Sequence, residues 1–180
     1  MERDTETDLV RRGANGDRGA FRVLVEKHQR PLGAYARRML SDPHLAEDVV
    51  QETFLRLWSQ AARYDSGAAR LTTWLHNIAH NLCIDSFRKR SRMSFTDDES
   101  RFEAAGASLE QEQQERQQGD RVSSALARLA ERQRSAILLC HYQGLSNREA
   151  ARVLDVSVDA LESLLARGRR ALKKELLGND

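Results

Sequence analysis

From Gly144 to Leu176 the chain reads GLSNREAARVLDVSVDALESLLARGRRALKKEL. Ser146 with Glu149 three residues on is the pattern of a capping box, so a helix starts there. Ala151 is small where two helices would have to cross closely. Asp155 falls in the next turn, where a residue with positive φ is common and Asp tolerates it better than most. Ser157 can cap a second helix, with Leu161, Leu164 or Leu165 turned inward. Caps, turn and apolar spacing together predict a helix-turn-helix rather than an ordinary helical hairpin. The second helix leaves through Arg167, Arg169, Arg170, Lys173 and Lys174, cations suited to phosphate contacts that carry salt-dependent affinity but no sequence choice. Gly168 sits within that run and costs a helix about 1 kcal/mol relative to Ala, which leaves the helix able to fray there.

The remainder of the chain is consistent with helix throughout. Only 2 of 180 residues are Pro and 6% are aromatic, while Ala, Leu, Arg and Glu are abundant. This favours an all-α protein of one domain or two small ones. No N-terminal apolar run resembles a signal peptide and none approaches a membrane span, so a cytoplasmic location is expected. Cys83 and Cys140 are far apart, lack CxxC spacing and lie in apolar stretches, which reads as two buried, inert thiols.

A net charge of +2 conceals a partition. Between Met93 and Asp120 there are eight acids against Arg101 and Arg116. From Ala61 to Arg92 the basic residues lead by six to two, and from Arg121 onward by eleven to seven. Two basic blocks separated by an acidic one suit two nucleic-acid-facing modules on a tether that avoids DNA.

Along the chain, a first helix is expected over residues 5–13, ending at ANGD. Asp17 can cap the next, in which Phe21, Leu24, Val25, His28, Leu32, Tyr35 and Met39 follow a helical period. Pro31 should kink or split it. Asp42-Pro43 is an N-cap followed by proline at the first helical position. It opens a helix to about Ala62 with Leu45, Val49, Thr53, Phe54, Leu57 and Trp58 inward. Asp48, Gln51, Glu52 and Leu55 then form a separate stripe at i, i+3, i+4 and i+7, which by itself reads as a solvated face. A fourth helix uses Leu71, Trp74, Leu75, Ile78 and Leu82 and ends in RKRSR. The apolar period fails over 93–119, where EQEQQERQQGD is polar and capable of transient helix, so this segment reads as a mostly flexible acidic linker. The expected architecture is two small helical domains, 1–92 and 120–180, joined by that linker.

Three motifs in order carry a family resemblance. DPHLAEDVVQETFLRLW (Asp42 to Trp58) closely resembles the RNA-polymerase-binding helix of bacterial sigma factors, in their extracytoplasmic-function group within the sigma-70 family. RLTTWLHNIAHNLCIDSFRKRSR (Arg70 to Arg92) resembles the family's promoter-melting and minus-ten-reading helix. LARLAERQRSAILLCHYQGLSNREAARVLDVS resembles its minus-thirty-five-reading domain. The resemblance implies a non-catalytic subunit that binds core RNA polymerase and directs it to promoter DNA, for a stress or envelope response, with neither cofactor nor small-molecule substrate. It implies that Asp48, Gln51, Glu52 and Leu55 meet the polymerase. Tyr64 and Asn81 match the pocket for a flipped minus-ten base, and such a base can stack on aromatics and pair with amides. Asn77, His80, Arg88, Lys89 and Arg90 complete that surface, with Arg92 holding phosphate and Trp74 packing in the core. Arg148, Ser157, Asp159, Glu162, Ser163, Arg167, Arg169 and Arg170 are the implied minus-thirty-five residues. Here the chain departs from the pattern of the family it resembles, because Glu162 and Leu164 stand where that family often carries basic residues. An acid near the groove reads cytosine or repels phosphate, so a promoter sequence is not inherited. The resemblance also implies an anti-sigma protein that holds the factor until a signal releases it.

Two rival readings follow from the residues. His76 and His80 have a spacing that can hold zinc, but no Glu follows His76 as in HExxH and no third ligand stands out, so two surface or DNA-facing imidazoles are expected. No nucleophile–base pair or phosphate-cradling glycine loop points to an enzyme. The other rival is a stand-alone helix-turn-helix regulator that binds duplex DNA without polymerase.

Overall fold

A computed structural model describes residues 2–94 and 110–178, with side chains over 5–93 and 119–178. Every regular element among them is helical. The order is α1 (Glu2–Ala14), α2 (Arg18–Leu40), α3 (Pro43–Gln60), a 3-10 turn (Ala61–Arg63), α4 (Leu71–Ser94), α5 (Glu110–Arg128), α6 (Glu131–Ile137), α7 (Asn147–Leu154) and α8 (Val158–Leu177). After α6 the chain continues as a π-helical turn, Leu138–Tyr142.

Local chemistry sets the helix starts. Asp17 accepts from the Ala20 amide at 3.0 Å and so caps α2. Asp42 accepts from the amides of His44 and Leu45 at 2.9 and 3.1 Å and caps α3 ahead of Pro43. Both satisfy amides that have no partner within the first helical turn. Pro31 neither splits nor ends α2, which runs through it as one 23-residue helix. The proline removes one ladder hydrogen bond, a cost of about 3 kcal/mol. On either side of it, however, α2 buries Leu24, Leu32, Tyr35 and Met39, each apolar side chain contributing about 1.5–3 kcal/mol on burial. Packing on both flanks outweighs the lost bond.

α2 packs against α1, α3 and α4, and Leu57, Leu71 and Leu75 complete this first core. Trp58, expected inward, is only partly covered: its ring meets Phe21 edge-on at 4.9 Å while its outer side stays exposed. In the second unit α6 and α8 clasp around Leu126, Leu138, Leu139, Leu161 and Leu165. Residues 110–119 of the acidic stretch form the first part of α5, while 95–109 of the expected linker lie outside the described residues. Cys83 is buried, which pushes its thiol up to about 12. Cys140 is half-buried and raised by the same desolvation.

The two units are packed on one another. Arg134 of α6 is 8% exposed, and its guanidinium donates to the carbonyls of Leu126 (2.9 Å), Ala127 (2.7 Å) and Leu129 (3.2 Å) around the end of α5, and to Met39 (2.6 Å) at the end of α2. Helix C-termini leave carbonyls without amide partners and carry negative partial charge, so one cation can close two helix ends from different units. Arg38 lies over the Tyr142 ring at 4.6 Å nearby.

Candidate functional site

α3 turns Ala46, Val49, Thr53, Phe54 and Leu57 into the core. The opposite rotation leaves Asp48 and Gln51 exposed and Glu52 half-exposed, with Leu55 62% exposed among them. Glu52 accepts from Arg56 Nε at 3.0 Å, a helix pair one turn apart. The four predicted residues are thus brought together on one outward stripe. An open groove between α2 and α3, lined by Arg30, Gly33, Arg37, Glu47, Val50 and Gln51, adjoins it.

A second surface is built on α4. Trp74, Asn77 and Asn81 share a face at i, i+3 and i+7. Asn81 Nδ2 donates to Asn77 Oδ1 at 2.9 Å, so the two amides are already aligned with one another. Tyr64, in the chain leading to α4, lies tilted against the Trp74 ring at 5.7 Å and donates its hydroxyl to the Ala69 carbonyl at 3.1 Å. The far end of α4 presents Arg88, Lys89 and Arg90 to solvent, along with Arg92. Arg90 is partly committed, to the Leu40 carbonyl at 3.3 Å and the Asp42 carboxylate at 3.2 Å.

His80 does not belong to that surface. It is 7% exposed, and its Nδ1 is hydrogen-bonded to the fully buried Tyr35 hydroxyl at 2.9 Å. Burial pushes its pKa down to about 4, which keeps the ring neutral. His76 is likewise internal, at 1% exposure. Its Nδ1 donates to the Thr72 carbonyl at 2.8 Å, and the Gln143 carboxamide reaches Nε2 at 3.2 Å. Both imidazoles therefore sit in the core with separate partners rather than at the surface. The i, i+4 spacing was real, but it placed them on the packed face of α4.

The helix-turn-helix forms with the expected local chemistry. Ser146 Oγ accepts from the Glu149 amide at 3.2 Å, and Glu149 Oε2 accepts from the Ser146 amide at 2.9 Å. Asp155 ends α7 at φ 53°, and Ser157 Oγ accepts from the Ala160 amide at 3.1 Å to start α8. Leu161 and Leu165 pack inward, with Leu164 only partly covered. Arg148, Ser157, Asp159, Glu162, Ser163, Arg167, Arg169 and Arg170 are all exposed, so the whole predicted set faces outward. Gly168 is buried where α8 crosses α6, and α8 continues without a break to Leu177.

Where α7 meets α4, a group of side chains not foreseen from the sequence converges. Arg70 extends Nε to Glu149 Oε1 at 2.5 Å and Nη2 to Oε2 at 2.9 Å. Thr73 Oγ1 donates to the same carboxylate at 3.1 Å. Arg152 donates to the Ala68 carbonyl beside them. The Arg70 hydrogen bonds, with help from the Ser146 amide, hold the Glu149 carboxyl down at about 2. Glu149 was legible only as a capping residue, and nothing in the local pattern connects it to a cation 79 residues away.

Comparison with known proteins agrees with this geometry. Residues 24–93 match the Sigma-70 region 2 family, and residues 119–172 match Sigma-70, region 4. The ECF RNA polymerase sigma factor SigE of Mycolicibacterium smegmatis is 32% identical over 169 residues, covering 91% of this chain; the alignment spans 65% of SigE's own length. Among solved structures, CnrH in complex with the cytosolic domain of CnrY superposes with a TM-score of 0.75 at 28% identity, over 98% of this chain and 99% of CnrH. The sigma factor RpoE in complex with the anti-sigma factor NepR, from Bartonella quintana, gives 0.69 at 26% identity, over 89% and 98%.

Proposed function

The chain belongs to the extracytoplasmic-function group of the sigma-70 family, and from that premise we propose how its surfaces divide the work of transcription initiation. It binds core RNA polymerase and directs it to promoters, rather than acting as a stand-alone helix-turn-helix regulator. In this division residues 1–92 hold the polymerase and the minus-ten strand, 120–180 read the minus-thirty-five element, and 93–119 connect them. The observation that carries the reading is the α3 stripe. Leu55 projects into solvent at the end of the stripe, one turn beyond Gln51 and Glu52 and beside the exposed edge of Trp58, so the surface joins an apolar anchor to a charged and polar stretch, as interfaces do.

On α4, Asn77 and Asn81 supply the amides and Tyr64 the ring that hold an extruded base, while Arg88, Lys89 and Arg90 hold flanking phosphates. His80 supports this surface from behind through Tyr35 rather than touching DNA. On α8, Ser157, Asp159, Glu162 and Ser163 stand in the first turns, the part of a recognition helix that meets base edges. Arg148, Arg167, Arg169 and Arg170 surround them with phosphate contacts. The protein is an initiation factor with no bond-making chemistry of its own, serving a stress or envelope response. No described helix is long and apolar enough to cross a membrane, and the proposed site of action is cytoplasmic promoter DNA. CnrH is solved in complex with the cytosolic domain of CnrY, and RpoE in complex with the anti-sigma factor NepR. An anti-sigma protein is accordingly the proposed regulator here, seated on the α3 stripe.

The test is reconstitution. The full chain is mixed with core polymerase, the complex isolated, and transcripts from fragmented genomic DNA sequenced. Co-purification followed by initiation at a set of sites sharing two spaced elements is the expected result. Tight, specific duplex binding by the chain alone, with no gain from core, would return the regulator reading.

A further inference from the structure

We propose that Arg70 and Thr73 form a binding site for a backbone phosphate of the melted promoter strand, and that the Glu149 carboxylate occupies this site while the two units are docked. The proposal rests on the sigma-factor reading above and adds to it a contact and an internal competitor.

The geometry is that of an oxyanion site. Arg70 meets both oxygens of Glu149 through Nε and Nη2, at 2.5 and 2.9 Å, and Thr73 adds a hydroxyl at 3.1 Å. The guanidinium fork matches carboxylate and phosphate alike, because each presents two oxygens at the spacing of its two N–H groups. The site also lies where a strand would pass. Arg70 immediately precedes α4, one turn before Trp74, whose ring supports Tyr64. It lines the rim of a cleft of about 330 Å³ that also includes Tyr64, Ser66, Lys27 and Glu6, whose carboxylate is engaged by Lys27 and His28 at 3.1 and 2.7 Å. A strand with a base against Tyr64 carries its phosphates along that rim.

Docking and promoter reading exclude one another. Elements named for positions minus ten and minus thirty-five are about 25 base pairs apart, about 85 Å along the duplex axis. In the docked form α4 and α7 touch, so the reading units must separate. Separation leaves neither charge stranded. Glu149 keeps the Ser146 amide of its capping box, and Arg70 exchanges a carboxylate for a phosphate. The helix-turn-helix thus carries an internal phosphate mimic that shields the minus-ten surface until the units part.

The experiment uses the full chain and a promoter recovered in the reconstitution, built as a duplex with its minus-ten segment mismatched and therefore premelted. Affinity of the polymerase complex is measured across a salt series. Arg70→Ala is expected to weaken binding and to lower the slope of log K against log salt by about 0.7, the release from one single-strand phosphate. Arg70→Lys should restore the slope, which a merely structural role would not predict. Glu149→Gln retains a side chain able to cap α7, and should raise the affinity of the polymerase-free chain for the same DNA several-fold. That gain should vanish in the Arg70→Ala/Glu149→Gln pair. An unchanged slope in Arg70→Ala, in a complex that still forms and initiates, overturns the phosphate site and leaves the sigma-factor reading standing. No gain from Glu149→Gln overturns the mimic. A wild-type complex that initiates nowhere overturns the functional reading and this proposal together.

Discussion

A Cβ built on Gly168 of α8 would stand 2.8 Å from Ile137 Cδ1 on α6, and 3.3 Å from Gln133 Cβ. Glycine is therefore what allows the recognition helix to lie directly on α6. Gly168→Ala would recover about 1 kcal/mol of helix propensity. It would also press a methyl into a close-packed contact with Ile137, itself 2% exposed, at a cost of about 1–3 kcal/mol. We expect a net loss on the order of 1 kcal/mol, and a larger one for Gly168→Val. Urea unfolding measures it, and a raised midpoint for Gly168→Ala would show that Ile137 moves aside freely.

That residue marks where the sequence stops being legible. A helical period with a glycine on it looks the same whether the glycine frays or is crossed by another helix. The difference lies in Ile137, 31 positions away. Caps read well because their partners are adjacent: Asp17, Asp42, Ser146–Glu149, Asp155 and Ser157 all fall where their side chains predict. The outward stripes of α3 and α8 were legible for the same reason, as one helix fixes both of its own faces. His76 and His80 were not, since Tyr35 reaches His80 from α2 and Gln143 reaches His76 from the bend after the π-helical turn. The split expected at Pro31 did not follow, because its penalty is local and its compensation is the whole α2 core. Arg134 gave no signal either. An arginine among apolar residues does not announce that its partners are carbonyls at two helix ends.

Polymerase binding should depend on charge at the α3 stripe. Asp48 and Glu52 carry exposed or half-exposed side chains, and neither contributes to the core. Asp48→Arg with Glu52→Arg should leave the circular dichroism and melting curve nearly unchanged. Core affinity should fall by about 3 kcal/mol or more, about a hundredfold or greater. Undiminished co-purification with core would remove this surface from the assignment.

Strand capture should depend on Asn81. Its side chain is exposed and supported only by Asn77, so Asn81→Ala removes an amide without opening a cavity. Loss of a base-edge contact is worth about 1–3 kcal/mol. The variant should bind core normally yet form open complexes on duplex promoter at least about tenfold less well. A premelted template should show a smaller defect, because unpairing has already been done. Permanganate footprinting reports the opening directly, and equal reactivity for both proteins would refute the role.

Acid should destabilise the protein in two separable windows. Folded His80 titrates at about 4 against 6.5 for a free imidazole, because burial disfavours its charged form. The unfolded chain takes up that proton first, so the contribution is complete above about 6.5 and is lost as pH falls toward about 4, by up to about 3 kcal/mol. His76 is lowered by the same burial and acts in the same direction. Glu149, held at about 2 against 4.5, gives its contribution above 4.5 and loses it only as pH falls from there toward 2. Urea midpoints against pH should show His80→Gln with a shallower decline in the upper window and an unchanged lower one. A parallel curve would mean that the Tyr35–His80 pair carries no titration linkage.

An inhibitor on the α3 stripe should compete with core polymerase. The stripe offers Leu55, at 62% exposure, and the partly exposed Trp58 as apolar anchors within an acidic margin. That surface fits a helix that presents apolar residues flanked by cations. A helix seated there covers Asp48, Gln51 and Glu52, the residues assigned to core, and one surface holds one partner at a time. Titrating an inhibitor recovered by pull-down from the native host into the preformed sigma–core complex should release free core, with a midpoint that rises in proportion to core concentration. Asp48→Arg with Glu52→Arg should weaken both complexes, whereas Arg167→Ala on α8 should weaken neither by way of this stripe. A stable ternary complex that still initiates transcription would place the inhibitor elsewhere on the molecule.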